Sequence, residues 1–170
     1  MRYSFCLLPL LALSACASLS EDECRAGDWY QIGKADGAAG RQNAFLEQHR
    51  KACGEYGIAP NAASWARGRK DGLPLYCTPS NAFKVGRQGK HLSAVCPASQ
   101  VAELERENDR GLQLNRVEQE IRSIESDIRG INASLTHLPA DSPTRGALLS
   151  ERSILRLDLL MLRTERARLL

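Results

Sequence analysis

The C-terminal third of the chain has an unbroken apolar heptad pattern. Its apolar positions follow one another at steps of 3, 4, 3, 4, 3, 4 and 3 residues, and they are Leu114, Val117, Ile121, Ile124, Ile128, Ile131, Leu135 and Leu138. A stripe with this spacing lies on one side of an α-helix and suits packing against a second helix. The pattern predicts a helix from Ser99 to about Thr136, because Ser99 can cap its N-terminus.

A second amphipathic stretch follows a predicted turn over 139–143. Ser142 can cap a new helix, in which Pro143 takes the first position. The apolar stripe of this helix is broad, and it contains Leu148, Leu149, Ile154, Leu155, Leu157, Leu159, Leu160, Met161, Leu162 and Leu169. Residues 99–170 are therefore predicted to form a long antiparallel helical hairpin of coiled-coil type. Either each arm covers the stripe of the other, or the second stripe also binds another helix.

The N-terminal half contains a repeated unit in which an aromatic residue precedes the pattern Gly-basic-x-Asp-Gly. The first two copies span residues 29–37 and 65–72, and a degenerate third copy over 83–89 lacks the aspartate. Residues that favour helix N-termini precede each copy. The sequence therefore predicts helices at about 28–53, 61–72 and 80–90.

The repeat glycines favour close helix packing. Glycines four residues apart fall on one helix face, where another backbone can approach closely. We interpret six of them as packing positions, namely Gly33, Gly37, Gly68, Gly72, Gly86 and Gly89. The alternative interpretation places Asp36 and Asp71, with Arg41 or Arg69, in a polar cleft for ligand binding or hydrolysis. Asp-Gly pairs are more often turn or helix-end elements, so no catalytic residue is assigned.

A short apolar run at the N-terminus ends in small residues and a cysteine. Residues 5–13 are too few to cross a bilayer, which takes about 20 apolar residues, and their position after Arg2 is typical of an export signal. Leu13-Ser14-Ala15-Cys16 resembles the lipobox of bacterial lipoproteins, whose cysteine is acylated and becomes the mature N-terminus. The resemblance implies a signal peptide over 1–15, a lipid on Cys16 and a tether over 16–23.

Four cysteines remain for the folded part of such an exported chain, and they are Cys24, Cys53, Cys77 and Cys96. Cys6 would be removed with the signal. Disulfides persist in exported compartments, and four cysteines allow three connectivities. We favour pairing between neighbours in the sequence, Cys24 with Cys53 and Cys77 with Cys96, because each pair flanks one helical segment. A zinc site is the rival interpretation, but the chain has no Cys-x-x-Cys pair.

Charge and histidine spacing argue against several classes of function. The formal charge falls from +3 to +2 when Arg2 leaves with the signal, which is too small to attract nucleic acid strongly. The three histidines, His49, His91 and His137, lack metal-ligand spacing, so no metal or cofactor is predicted.

The composition changes near residue 98. Residues 99–170 contain no cysteine, aromatic residue or lysine, whereas both tryptophans and most glycines precede them. Such a change often marks the boundary between a compact module and an extended element. The sequence therefore predicts a module over 24–98 and a separate hairpin over 99–170.

An ordered series of short signatures resembles a known family. They are Asp28-Trp29, Gly33-x-x-Asp36-Gly37, His49-x-x-x-Cys53, Gly68-x-x-x-Gly72-Leu73, Tyr76-Cys77-Thr78-Pro79-x-Asn81, Gly86-Arg87-x-Gly89 and Val95-Cys96-Pro97. Over about residues 24–111 the chain is similar to an uncharacterised family of small Gram-negative envelope lipoproteins, the domain-of-unknown-function family 2799. The resemblance implies an envelope lipoprotein and carries no established activity.

These observations predict a mainly α protein, in which a small disulfide-pinned helical module precedes the long hairpin. The expected role is structural or protein-binding rather than enzymatic. Ala17, rather than aspartate, follows the lipobox cysteine, which in Gram-negative lipoproteins favours the inner leaflet of the outer membrane. The expected partners are the membrane, through the lipid, and a second copy or an envelope protein, through the hairpin.

Overall fold

The computed structural model describes residues 18–170, which contain seven α-helices, one 3₁₀-helix and no strand. The helices are α1 Glu21–Ala26, α2 Trp29–Ala38, a 3₁₀-helix Asn43–Phe45, α3 Leu46–Gly54, α4 Ala62–Tyr76, α5 Pro79–Arg87, α6 Ala98–His137 and α7 Pro143–Leu169. The mainly α fold class is confirmed. The predicted signal peptide and Cys16 lie outside the described residues.

The predicted single helix over 28–53 is wrong, because the chain turns at Gly40. α2 ends at Ala38, and Gly40 has a φ of +68°, a left-handed conformation that glycine adopts without strain. The Arg41 N–H donates to the Asp36 carbonyl at 2.9 Å, which closes the turn. The reversal returns His49 of α3 to Asp36 of α2, with 2.7 Å between His49 Nε2 and Asp36 Oδ2.

The other two predicted helices of the module differ from the observed ones only at their ends. α4 continues to Tyr76, through Pro74, and α5 ends at Arg87. Thr78 caps α5 by accepting a hydrogen bond from the Asn81 N–H at 3.2 Å. At the end of α4, the buried Tyr76 accepts a hydrogen bond at its hydroxyl from the Ser93 N–H at 3.0 Å, which fixes the later loop against α4.

Both predicted disulfides are present. The Cα atoms of Cys24 and Cys53 lie 5.4 Å apart, and those of Cys77 and Cys96 lie 5.6 Å apart. The first disulfide lies among buried apolar side chains that include Trp29. The chain separations of 29 and 19 residues imply stabilisation of about 3 kcal/mol each on the chain-entropy model. The two crosslinks thus contribute strongly to a module with small helices.

α6 and α7 form the predicted antiparallel hairpin. Six of the heptad positions of α6 are buried, namely Leu114, Val117, Ile121, Ile124, Ile131 and Leu135. Several polar contacts also cross between the arms, among them one from Arg163 to Glu125 at 2.8 Å and one from Arg152 to Asn132 at 2.8 Å. Within residues 18–170, no helix is both long and apolar enough to span a membrane.

The first turns of α6 pack against α5 rather than against α7. Arg110 of α6 connects both neighbours, since its guanidinium lies 4.1 Å from the ring centre of Phe83 and donates to the Leu169 carbonyl at 2.7 Å. The composition of the chain changes near residue 98, but the packing has no break there. α6 therefore belongs to both the module and the hairpin.

Candidate functional site

α2 and α4 cross with their backbones in direct contact at four glycines, Gly33, Gly37, Gly68 and Gly72. A Cβ on the first glycine of α2 would overlap the Trp65 carbonyl oxygen, and one on the first glycine of α4 would overlap the Tyr30 carbonyl oxygen. Each of these carbonyls belongs to the residue three positions before the partner's first glycine. The two repeat copies therefore pack on each other reciprocally, with the near two-fold symmetry of a homodimer inside one chain.

The aspartate and the aromatic residue of each repeat bond across the same crossing. Asp36 accepts a hydrogen bond at Oδ2 from Trp65 Nε1 at 2.8 Å. In the symmetric position, Asp71 accepts at Oδ2 from the Tyr30 hydroxyl at 2.9 Å. This exchange accounts for both residue types in the repeat, and the two carboxylates bond to different partners instead of forming one acidic site.

The exposed pair has a measurable signature in the pKa of Tyr30. The hydrogen bond to Asp71, and then the negative charge of that carboxylate, raise the pKa of the Tyr30 phenol above its usual value. Replacing Asp71 by asparagine removes the charge, so we expect the Tyr30 pKa to fall and tyrosinate to form at lower pH. Titration by ultraviolet absorbance measures this, with Tyr30→Phe to identify the transition. An unchanged titration curve in Asp71→Asn would contradict the contact.

The third repeat copy packs on a fourth glycine unit that the sequence analysis missed. Gly86 of α5 lies against the Asn108 carbonyl oxygen, and Gly111 of α6 lies against the Phe83 carbonyl oxygen, with the same three-residue offsets as in the first crossing. Phe83 has no polar hydrogen to donate, which fits the presence of Leu114 at the aspartate position of the fourth unit, three residues after Gly111. Gly89, by contrast, has a φ of +76° just beyond α5 and makes no helix-to-helix backbone contact.

Asn108 replaces the aromatic residue in the fourth unit and is almost fully buried, at 3% exposure. Its side-chain amide donates to the carbonyls of Ala82 and Lys90, and its Oδ1 accepts from the Leu92 N–H. The second crossing thus satisfies its buried polar side chain with backbone groups. Gly111 was overlooked because it lies inside the heptad-rich half, where the repeat has lost its aromatic residue and aspartate.

Asp36 lies in a buried polar cluster with His49 and Ser18. Its Oδ2 is 2.7 Å from His49 Nε2, and His49 Nδ1 is 2.9 Å from the Ser18 hydroxyl oxygen. His49 is 1% exposed and packs edge-on against Phe45, with ring centres 5.1 Å apart. The cluster therefore links α2, α3, α4 and the segment that precedes α1.

The polar cleft considered for Arg41 and Arg69 does not form around the two aspartates. Arg69 is largely buried, and its Nε donates to the Arg41 carbonyl at 2.6 Å. Burial lowers the pKa of the Arg69 guanidinium, and the negative charge of Asp36 offsets part of that effect. The guanidinium of Arg41 instead lies over the Phe45 ring, 4.3 Å from its centre.

The cluster has the order of contacts serine, histidine and carboxylate, which also occurs in hydrolases. Such enzymes need a nucleophile open to substrate and donors for the oxyanion. Three surface grooves of the described chain are lined by other residues, including the loop 91–96, the segment 42–44 and one side of α7. Within residues 18–170, no group of three His, Cys, Asp or Glu side chains is placed to hold a metal.

The segment before α1 is part of the folded module. Leu19 is buried among Cys24, Trp29, Cys53 and Trp65. Ser20 caps α1 through a capping box with Glu23, whose carboxylate accepts from the Ser20 N–H at 2.8 Å. Most of the stretch that the sequence analysis describes as a tether, from residue 18 onward, therefore packs on the helices because it contains an apolar side chain and a cap.

Comparison with protein families identifies the region that contains both glycine crossings. The family model described as "Protein of unknown function (DUF2799)" matches residues 28–113. The chain belongs to the DUF2799 family. The match confirms the resemblance predicted from the sequence signatures, and no curated protein and no solved structure matches the chain.

The DUF2799 region begins at the residue that caps α2 and ends two residues after Gly111. It thus includes the first turns of α6 and leaves α7 outside. The family match and the backbone packing agree on where the compact unit ends. The DUF2799 region contains the two glycine crossings, and the rest of the hairpin extends from it.

Proposed function

We propose that the protein is a lipid-anchored lipoprotein of the cell envelope, with a structural or protein-binding role instead of an enzymatic one. In this proposal Cys16 carries the lipid, and the chain faces the periplasm from the inner leaflet of the outer membrane. The lipobox-like sequence and Ala17 support this location. The two disulfides suit an oxidising compartment.

The fixed position of Ser18 and Leu19 is the observation on which the proposal mainly rests. Cys16 is two residues from Ser18, whose hydroxyl is bonded to the buried His49. Two extended residues span about 7 Å. A lipid on Cys16 would therefore hold the module directly at the bilayer surface, with a defined side facing the lipid.

The buried polar cluster supports a structural role better than a catalytic one. Asp36 receives hydrogen bonds from two buried side chains, Trp65 and His49, so its carboxylate is committed to holding three helices together. Ser18, at the end of the cluster, lies two residues after Cys16, the position of the proposed lipid. We interpret the cluster as the contact that holds the lipid-bearing segment against the module.

Metabolic labelling with an alkyne fatty acid in a Gram-negative host tests the anchor. We expect the full chain to become labelled, the variant Cys16→Ser to remain unlabelled, and the matched variant Cys6→Ser to be labelled like the parent. The label should sediment with outer-membrane vesicles on a density gradient, because Ala17 favours passage to that membrane.

Three results would contradict all or part of the proposal. Equal labelling of Cys16→Ser and the parent would show that the lipid is on another residue, and an unlabelled parent would remove the anchor altogether. Recovery of the labelled chain in inner-membrane fractions would keep the anchor and overturn the location.

A further inference from the structure

Arg69 is a buried cation with an unpartnered end. It is 9% exposed, and only its Nε forms a hydrogen bond, to the Arg41 carbonyl. Within residues 18–170, the two terminal nitrogens of its guanidinium form neither a hydrogen bond nor an ion pair, and neither is sealed from solvent. The nearby Asp36 carboxylate is engaged by two other side chains. The free end of Arg69 would therefore gain from an added anion.

Arg69 lines a surface groove of about 510 Å³ between α4, the start of the 3₁₀-helix and the loop that contains the second disulfide. The other residues that line this groove are Gln42, Asn43, Ala44, Ala94, Val95 and Cys96. The lining thus contains a guanidinium and two side-chain amides but no carboxylate. An anion in this groove would meet donors without charge repulsion from the lining.

A helix begins at one wall of the groove. The 3₁₀-helix continues into α3 without a break, because the residues at their junction both have right-handed helical backbone angles, so 43–54 is one helical run. Gln42, at the N-cap, provides no side-chain cap. In the described part of the chain, the N–H groups of Asn43 and Ala44 have no acceptor. Free N–H groups at a helix N-terminus bind anions, with help from the helix dipole.

The hydrogen bond between Arg69 and Arg41 places these two sets of donors together. The Arg41 carbonyl, 2.6 Å from Arg69 Nε, belongs to the residue just before the N-cap. Because the carbonyl occupies Nε, the edge of the guanidinium formed by its two terminal nitrogens remains free. That edge is a planar fork that can donate to two oxygens of one anion.

We propose that this groove binds a phosphate group. The fork of Arg69 donates to two phosphate oxygens, and the N–H groups of Asn43 and Ala44 donate to a third. A phosphate directs its oxygens tetrahedrally, so donors on two walls can reach it, whereas a carboxylate has two oxygens in one plane. A lipid headgroup and free phosphate both supply these oxygens. The site uses no residue of the proposed lipid-bearing segment, so it does not depend on the anchor.

Amide chemical shifts of the full chain, purified in a non-ionic detergent, measure binding at the site. We expect inorganic phosphate to shift the Ala44 N–H signal in a saturable way, and sodium chloride at equal ionic strength to shift it little. Acetate tests a carboxylate and should bind more weakly than phosphate. Micelles that contain phosphatidylglycerol, compared with micelles that contain diacylglycerol, test the lipid headgroup as the source.

Arg69→Gln removes the fork and keeps the buried hydrogen bond. Glutamine Nε2 is attached to Cδ as arginine Nε is, so it can still donate to the Arg41 carbonyl. We expect inorganic phosphate to bind about tenfold or more weakly, because two charge-assisted hydrogen bonds are lost. Arg67→Gln is the matched control, since Arg67 is exposed on α4 outside the groove, and it should leave the affinity unchanged.

Asn43→Pro tests the helix N-terminus and leaves Arg69 intact. Proline lacks the N–H and suits the first helical position, and the extended backbone of Gln42 is compatible with a following proline. We expect the phosphate affinity to fall by about tenfold. Ala62→Pro, at the first position of α4, is the matched control and should bind like the parent. Circular dichroism checks the fold of each variant, and Asn43→Pro keeps the test if Arg69→Gln does not fold.

Three outcomes would overturn the phosphate site. They are no saturable shift at Ala44, acetate binding as tight as phosphate binding, and a phosphate affinity that neither Arg69→Gln nor Asn43→Pro changes. A larger shift with phosphatidylglycerol than with diacylglycerol would support a lipid headgroup as the source, and equal shifts with saturable binding of inorganic phosphate would support free phosphate. Fatty-acid labelling at Cys16 tests the anchor separately.

Discussion

Replacing Gly68 by alanine is expected to destabilise the protein by about 3 kcal/mol or more. The new Cβ would overlap the Tyr30 carbonyl oxygen and approach the Lys34 backbone nitrogen to 2.9 Å. These atoms belong to the backbone of α2, so the two helices must move apart. Alanine favours a helix interior by about 1 kcal/mol over glycine, which is smaller than the cost of separation. Urea unfolding followed by circular dichroism measures the difference.

Gly130→Ala is the matched control for helix propensity. Gly130 lies inside α6, and a Cβ there would have no neighbour within 4 Å. We therefore expect this substitution to stabilise the protein by about 1 kcal/mol. A neutral or stabilising effect of Gly68→Ala would contradict the close crossing of α2 and α4.

Replacing Asp36 by alanine is expected to cost about 3–5 kcal/mol, the range for loss of one partner from a buried charged contact. The substitution would leave Trp65 Nε1 and His49 Nε2 without their acceptor in the core, and Arg69 would lose a nearby negative charge. Asp71→Ala is the matched control, because Asp71 holds the symmetric position but is itself exposed and bonds to the half-buried Tyr30.

The difference between the two aspartates decides the role of the polar cluster. We expect unfolding midpoints in urea to fall strongly for Asp36→Ala and only slightly for Asp71→Ala. Equal effects of the two substitutions would show that the cluster adds nothing to the crossing. Limited proteolysis near residue 18 would further show whether the cluster holds the segment before α1 against the module, since Asp36→Ala also removes the carboxylate that orients His49 toward Ser18.

The hairpin and the disulfides could be predicted because their causes are local in the sequence. The heptad steps from Leu114 onward determine which side of α6 is buried, and Ser142 followed by Pro143 determines where α7 begins. Cys24 and Cys53 pair as neighbours in the sequence, although α2, the turn at Gly40 and α3 lie between them. The hairpin depends on residues within a few turns of one another, and four cysteines allow three connectivities, so the pattern alone contains enough information for both.

The polar cluster and the turn at Gly40 could not be predicted, because they depend on contacts between distant segments. A glycine after α2 is compatible with helix continuation or with a turn, and the contact of His49 with Asp36 requires the turn. Asp36 and His49 are 13 residues apart, and Ser18 lies 31 residues before His49. The spacing within the repeat offered one usable signal for the fourth unit. Gly111 lies three residues after Asn108, just as Gly68 lies three residues after Trp65.

α6 has 40 residues, which form about 60 Å of continuous helix, and only its first turns are packed in the module. Its first turns are locked to α5 by backbone contact at Gly111, and Arg110 ties the end of α7 to the same place. A force applied at the turn between α6 and α7 would therefore act on a lever with its fulcrum at Gly111. A bend at residue 98 would not relieve this force. A displacement of the turn between α6 and α7 would therefore be transmitted to the helix crossings near the proposed membrane surface.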